Sequence, residues 1–261
     1  MIRRNSIAAL FCCLIFLAPD LCAQSLSEVL GAVSRNVREF QELLPDFVCT
    51  EKITSTKLDS GKIKEQRVVE SIFTGIQRPS RVDNIRLSFT ETREVTSIDG
   101  KPARPGAGMP KLPLSSTGGF SSLLIMTFSP DHLQFHDYEM ESETDERLVI
   151  RFATKEDQQK LGTVFEGKVL LARDAGEAWV APESMQIARL ERRFFNIPTG
   201  YSSSVTTVEY GPVTIGERQF WMPRTVQAEV AEHDPKKTAV YTAEYTNCRK
   251  FGASVQFELA H

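Results

Sequence analysis

Histidine, tryptophan and cysteine are scarce in this chain of 261 residues, which has four, two and five of them. Missing too are a phosphate-cradling glycine loop with Lys and Ser/Thr, a G-x-S-x-G turn, an H-E-x-x-H helix and any cysteine pairs at zinc spacing. No catalytic residue, metal-ligand set or cofactor site can be named from motif, and the chain reads as a non-enzyme that needs no cofactor. Charge of one sign is lacking as well: Lys and Arg total 31 against 34 Asp and Glu, a formal net charge of −3. That balance excludes the basic footprint of a nucleic-acid binder and leaves nothing to hold the protein on an anionic membrane by charge alone.

What is present begins with a leader. Arg3 and Arg4 precede an unbroken apolar run from Ile7 to Leu17, and Leu21-Cys22-Ala23 ends in a small residue. This is the pattern of a secretory signal peptide over 1–23, too short for the roughly 20 residues of a spanning helix. The lipoprotein alternative is disfavoured because Leu21, rather than a small residue, precedes Cys22. No later stretch is apolar enough to span a bilayer, so a soluble periplasmic or secreted product is expected. Cleavage after Ala23 would remove Cys12, Cys13 and Cys22 and leave Cys49 and Cys248. In an oxidising compartment an even pair points to one disulfide rather than two buried thiols. It would close a loop of about 200 residues, worth roughly 5 kcal/mol in the chain-entropy account, and would hold the ends of a sheet in one frame.

The mature chain opens on a helix. Leu26, Val29, Leu30, Val33, Val37, Phe40, Leu43 and Leu44 recur at three- and four-residue spacing, Ser25 and Glu28 form a capping-box pattern, and Pro45 stops the run. From Asp46 the period changes to two. Phe47, Cys49 and Ile53 share a parity that Glu51 breaks. Ser60-Gly61, Arg78-Pro79-Ser80 and Asp99-Gly100 divide three long extended segments whose polar content implies an inner face that is only partly dry. A Gly- and Pro-rich stretch, 101–119, is expected to be a long flexible loop, either functional or a surface excursion. Phe120 to Phe128 is the most apolar segment, and periodicity leaves it open between a buried helix and a buried strand. A hairpin leads from Leu133–Tyr138 to Leu148–Phe152, another strand covers Thr163 to Ala172, and a pair follows through Ala178–Val180 and Met185–Phe195. The run from Ser203 to Leu259 alternates most clearly, with Val255, Phe257 and Leu259 as its last members. Pro223 marks an edge or a bulge within it.

These patterns predict a mainly β (α+β) fold. It consists of a large, curved antiparallel sheet or incomplete β-barrel of about ten strands, with the amphipathic N-terminal helix packed on it. Residues 24–261 form a single β-rich domain. Asp131-His132 and His136-Asp137 are the one cluster with metal-binding residue types, with His233 or Asp234 as a conceivable third ligand. On a strand, however, His132 and His136 stand roughly 13 Å apart, and two surface histidines is the stronger reading.

Three segments carry a resemblance: G-x-A-W-V-x-P-E-S-x-x-I-x-R-L (Gly176 to Leu190), V-x-Y-G-P-V-x-I-G (Val208 to Gly216) and F-W-M-P (Phe220 to Pro223). With the signal peptide and first helix, they resemble the LolA/LppX/RseB-like periplasmic proteins, most of all their uncharacterised secreted relatives. The resemblance implies an incomplete barrel over inner helices that holds or senses acyl chains, lipids or lipoproteins. On that reading Phe120, Leu123, Leu124, Ile125, Met126 and Phe128 line the ligand as lid or floor. The competing reading is an interaction or sensor domain that offers a strand edge, near Pro223, to another envelope protein.

Overall fold

The computed structural model describes residues 25–79, 87–116, 119–143, 147–158, 162–165, 168–171, 173–195, 197, 200–234 and 236–252. The expected signal peptide and the last alternating residues, Val255, Phe257 and Leu259, lie outside them.

Helix α1 (Leu26–Leu43) forms where the apolar period predicts it. Ser25 Oγ accepts the Glu28 N–H while the Ser25 N–H donates to Glu28 Oε2, so two otherwise orphaned donors are satisfied reciprocally. Val29, Val33, Val37 and Phe40 are buried, and at Leu44 the backbone turns extended ahead of Pro45. Leu43, expected on the same apolar face, is instead 42% exposed.

The described residues contain thirteen strands. They are β1 (Phe47–Asp59), β2 (Lys62–Pro79), β3 (Leu87–Ile98), β4 (Lys101–Pro102), β5 (His136–Glu143), β6 (Leu148–Thr154), β7 (Gly162–Phe165), β8 (Lys168–Leu171), β9 (Asp174–Ala181), β10 (Gln186–Phe194), β11 (Tyr201–Ile215), β12 (Arg218–Glu232) and β13 (Lys237–Lys250). Eleven make one antiparallel sheet in the order β4-β3-β2-β1-β13-β12-β11-β10-β9-β6-β5. Among the described residues no ladder joins β4 to β5, so the sheet does not close. Strands β7 and β8 pair only with each other, where the sequence suggested one strand from Thr163 to Ala172. The turns Ser60-Gly61 and Asp99-Gly100 have positive φ at both residues, the backbone twist that tight hairpins require.

Cys49 and Cys248 are bonded across a sequence separation of 199. They join β1 to β13, the first long strand to the last, where the register slips between Val48 and Thr50. Those strands are neighbours in the middle of the sheet, so the bridge fastens its centre and not its ends. Pro223 lies at a register shift opposite Tyr210, in the part of β12 that precedes its ladder with β13, which starts at Thr225. A bulge accommodates the missing N–H there.

The apolar segment left open by periodicity is a helix, α2 (Ser122–Phe128). Its contacts measure the curl of the sheet. Phe120, just before it, stacks with Phe47 of β1 and meets Phe73 of β2 and Tyr245 of β13, whereas Phe128 meets Tyr138 of β5 and Phe152 of β6. On a flat sheet β2 and β5 would stand roughly 38 Å apart at roughly 4.8 Å per strand. The stretch between the two phenylalanines spans only roughly 12 Å of helix. The sheet therefore wraps around α2, and α1 closes the same hollow, with Phe40 against Phe89 of β3 and Asn36 bonded to the Ser184 and Met185 carbonyls before β10.

The stretch after β4 is tied to the sheet. Ala103 N–H donates to the Thr96 carbonyl, and Ser55 Oγ both accepts from the Leu114 N–H and donates to its carbonyl.

Candidate ligand site on the inner face of the sheet

Strand register turns the inner face into rows of side chains. One row crosses ten strands without a polar group: Met140, Ile150, Ala178, Leu190, Val208, Val226, Ala243, Ile53, Val69 and Ile98. All but Met140 and Ile98 are buried, and those two pack against the core. This is the apolar floor of the hollow.

Two polar groups flank the floor, each built on a half-buried arginine. The first lies on β1 to β3. Glu51, fully buried, takes both oxygens to Arg93 Nε at 3.0 and 2.8 Å and accepts Ser71 Oγ at 2.7 Å. The Arg93 guanidinium also lies 4.9 Å over the Phe73 ring. Burial alone would lower the Arg93 pKa, but the hydrogen bonds and charge of Glu51 outweigh it and hold the group above its ordinary value. Beside this pair, burial raises the Glu91 carboxyl above its usual range despite the opposing pull of Arg93, and Glu91 accepts Ser121 Oγ at 3.3 Å. Burial also raises the Tyr241 and Tyr245 phenols, with Glu51 adding to it.

The second group lies across the floor on β5, β6, β9 and β10. Asp174 Oδ1 accepts Thr154 Oγ1 and sits 3.2 Å from His136 Nε2, while Oδ2 is 3.9 Å from Arg192 Nη1. Burial pushes the Asp174 carboxyl up, but the His136 hydrogen bond, the Arg192 charge and Thr154 together hold it below the usual carboxylate range. Arg192 lies 4.3 Å over the Phe194 ring. Opposite Arg192 on β9 is Gly176, where a Cβ would come within 1.8 Å of the Glu191 carbonyl oxygen, so only glycine permits this approach of β9 to β10.

His132 and His136 are both buried, not on the surface as expected. His136 alternates inward with Tyr138 and Met140 on β5, and His132 is closed off with its Nδ1 2.7 Å from Ser129 Oγ. Burial lowers the His132 pKa, against the pull of Asp131. The two rings serve different partners, and among the described residues no three His, Cys, Asp or Glu side chains group as a metal site.

Of the residues expected to line a ligand, Phe120, Leu123, Leu124, Ile125 and Phe128 are buried against the sheet or α1, and Met126 is half-buried. They fill the hollow in this state. What remains open beside them is a cleft of about 80 Å³ between α1, the turn before β10 and the start of β12, with Leu124, Ile187 and Trp221 among its walls. Trp221 Nε1 donates to the Ile187 carbonyl there at 2.7 Å. Arg93 and Arg192 were not singled out from sequence, although two signals for them exist: Glu51 interrupting an apolar parity, and Arg192 at the inward parity of Leu190.

Compared with known proteins, the chain matches no family model and no curated protein. Among the solved structures it is similar to are two of broad coverage. One is a DUF1329 family protein from Desulfovibrio piger, 12% identical, covering 89% of this chain and 96% of that one with a TM-score of 0.42. The other is a LolA superfamily protein from Nitrosomonas europaea, 9% identical, covering 86% and 94% with a TM-score of 0.39. Both scores lie below 0.5, so function is read below from the residues of this chain alone.

Proposed function

We propose that the protein is an extracytoplasmic, non-enzymatic binding protein whose inner sheet face takes an apolar chain, such as the acyl chain of a lipid or lipoprotein. The observation that carries this reading is the uninterrupted apolar row of the floor, covered by a helix of only seven residues. The segment that covers it, Phe120 to Phe128, acts as the lid. Phe120, Leu123, Leu124, Ile125, Met126 and Phe128 would then face the ligand from above.

The energetics permit the exchange. Each large apolar side chain of α2 loses about 1.5–3 kcal/mol when uncovered, and an acyl chain gains about 0.8 kcal/mol per buried CH2. A chain of roughly sixteen carbons thus offsets four or five such side chains. Polar ties between α2 and the sheet are few: Ser121 to Glu91, and Tyr138 to the Thr127 carbonyl. The Cys49–Cys248 bond holds the middle of the sheet while the cover moves, and it supports an oxidising compartment. No helix of the described residues is long and apolar enough to cross a membrane.

Native mass spectrometry of protein purified without detergent, together with titration by a fluorescent fatty acid, tests the proposal. Adducts of lipid mass and saturable uptake are expected. A clean apo mass in repeated preparations with no uptake would overturn it.

A further inference from the structure

We infer that Arg192 is the headgroup site of this hollow, and that the ligand is a single-chain amphiphile with an anionic head. The inference rests on the apolar-chain reading above and adds to it the chemistry of the ligand's polar end.

Register places Arg192 one row from the apolar floor: its neighbours Gly176 and Thr206 adjoin Ala178 and Val208, which belong to that floor. An acyl chain that crosses the floor at Leu190 therefore passes one row from the guanidinium. The next row holds four buried polar residues, Ser204, Asp174, Thr154 and His136, with Phe194 opposite Asp174.

Arg192 also lacks the partner its position requires. Among the described residues its buried Nε has no hydrogen-bond acceptor, and the carboxylate it faces, Asp174 Oδ2, is 3.9 Å from Nη1, beyond hydrogen-bond range. Asp174 is already engaged through Oδ1 by Thr154 and His136. His136 Nδ1 and the Tyr210 hydroxyl, the latter across the floor from Arg192, are likewise buried without a partner among the described residues. Buried donors in folded proteins almost always find an acceptor, and a guanidinium pairs best with a carboxylate or phosphate. Arg192 has only donors to give, so the group it would take is an acceptor, and beside an arginine an anionic one. Arg93 cannot play this part, because Glu51 occupies its Nε with both oxygens.

The test compares ligands with one chain and different heads: oleate, an oleoyl lysophosphatidate and oleyl alcohol, each below its micellar concentration. They are titrated into the wild-type protein and into Arg192→Met and Arg192→Lys, with folding checked by circular dichroism and thermal melting. The inference predicts that at least one anionic ligand binds at least about tenfold more tightly than the alcohol. Arg192→Met should abolish that preference without weakening the alcohol, and Arg192→Lys should keep part of it. Preference for oleate alone assigns a carboxylate head, and preference for the lysolipid alone assigns a phosphate. Equal binding of acid and alcohol, or a preference that survives Arg192→Met, overturns the headgroup site and leaves the apolar-chain reading standing. Binding of none of the three overturns both.

Discussion

Arg93 and Arg192 occupy comparable places and are treated differently. Each stands on an inward strand position beside the apolar floor, each side chain is 20% exposed, and each lies over a phenylalanine ring. Arg93 is closed: a fully buried glutamate takes its Nε with both oxygens, and Ser71 completes the glutamate's shell. Arg192 is left open, because its aspartate has been claimed by a threonine and a histidine. Burial is thus the same while pairing differs. A closed pair serves the fold, and an open one leaves donors free for the headgroup proposed above.

The largest effect should come from breaking the closed pair. Arg93→Met would strand the buried Glu51 carboxylate and is expected to cost about 3–5 kcal/mol in urea unfolding. Adding Glu51→Gln to that variant should recover part of the loss, since the stranded charge, not the lost attraction, dominates. Next in size is the bridge that stabilises the same half of the sheet. Replacing both Cys49 and Cys248 by serine should cost about 2–4 kcal/mol, read as a lower urea midpoint of the oxidised protein's variant.

Arg192→Met should be far milder, under about 1 kcal/mol, because Asp174 keeps His136 and Thr154 and no bonded partner of Arg192 is stranded. A loss as large as that of Arg93→Met would erase the contrast between the two sites. The smallest effect is on pH. His132 is held below its ordinary value of 6.5 by burial, so its contribution is present above that value and is lost as pH falls toward the folded-state pKa, where the unfolded chain binds the proton first. Melting temperature should fall through this window, and His132→Gln should flatten that part of the profile.

Much of the frame was legible in the sequence because local patterns determine it. The capping box of Ser25 and Glu28 and the period of Val29, Val33 and Val37 give α1, and alternation from Val226 to Tyr245 gives the central strands. The cysteine count gives the bridge once the leader is set aside. The segment Phe120 to Phe128 resisted because it is covered on nearly all sides, so neither period shows. The histidines, expected at the surface from their spacing on a strand, are buried, and His136 shares the inward parity of Tyr138 and Met140 on β5. What no single segment could reveal is that Asp174, Thr154 and His136 converge from three strands, and that this convergence leaves Arg192 without a full partner.

The central claim is that the cover over the apolar floor gives way to a chain. Hydrogen–deuterium exchange of the amides of residues 119–131, with and without saturating oleate, measures this directly. Faster exchange in that segment on binding, with β1 and β13 unchanged around their disulfide, is the predicted result. Unchanged or slower exchange there, in protein shown by mass to carry oleate, would contradict it.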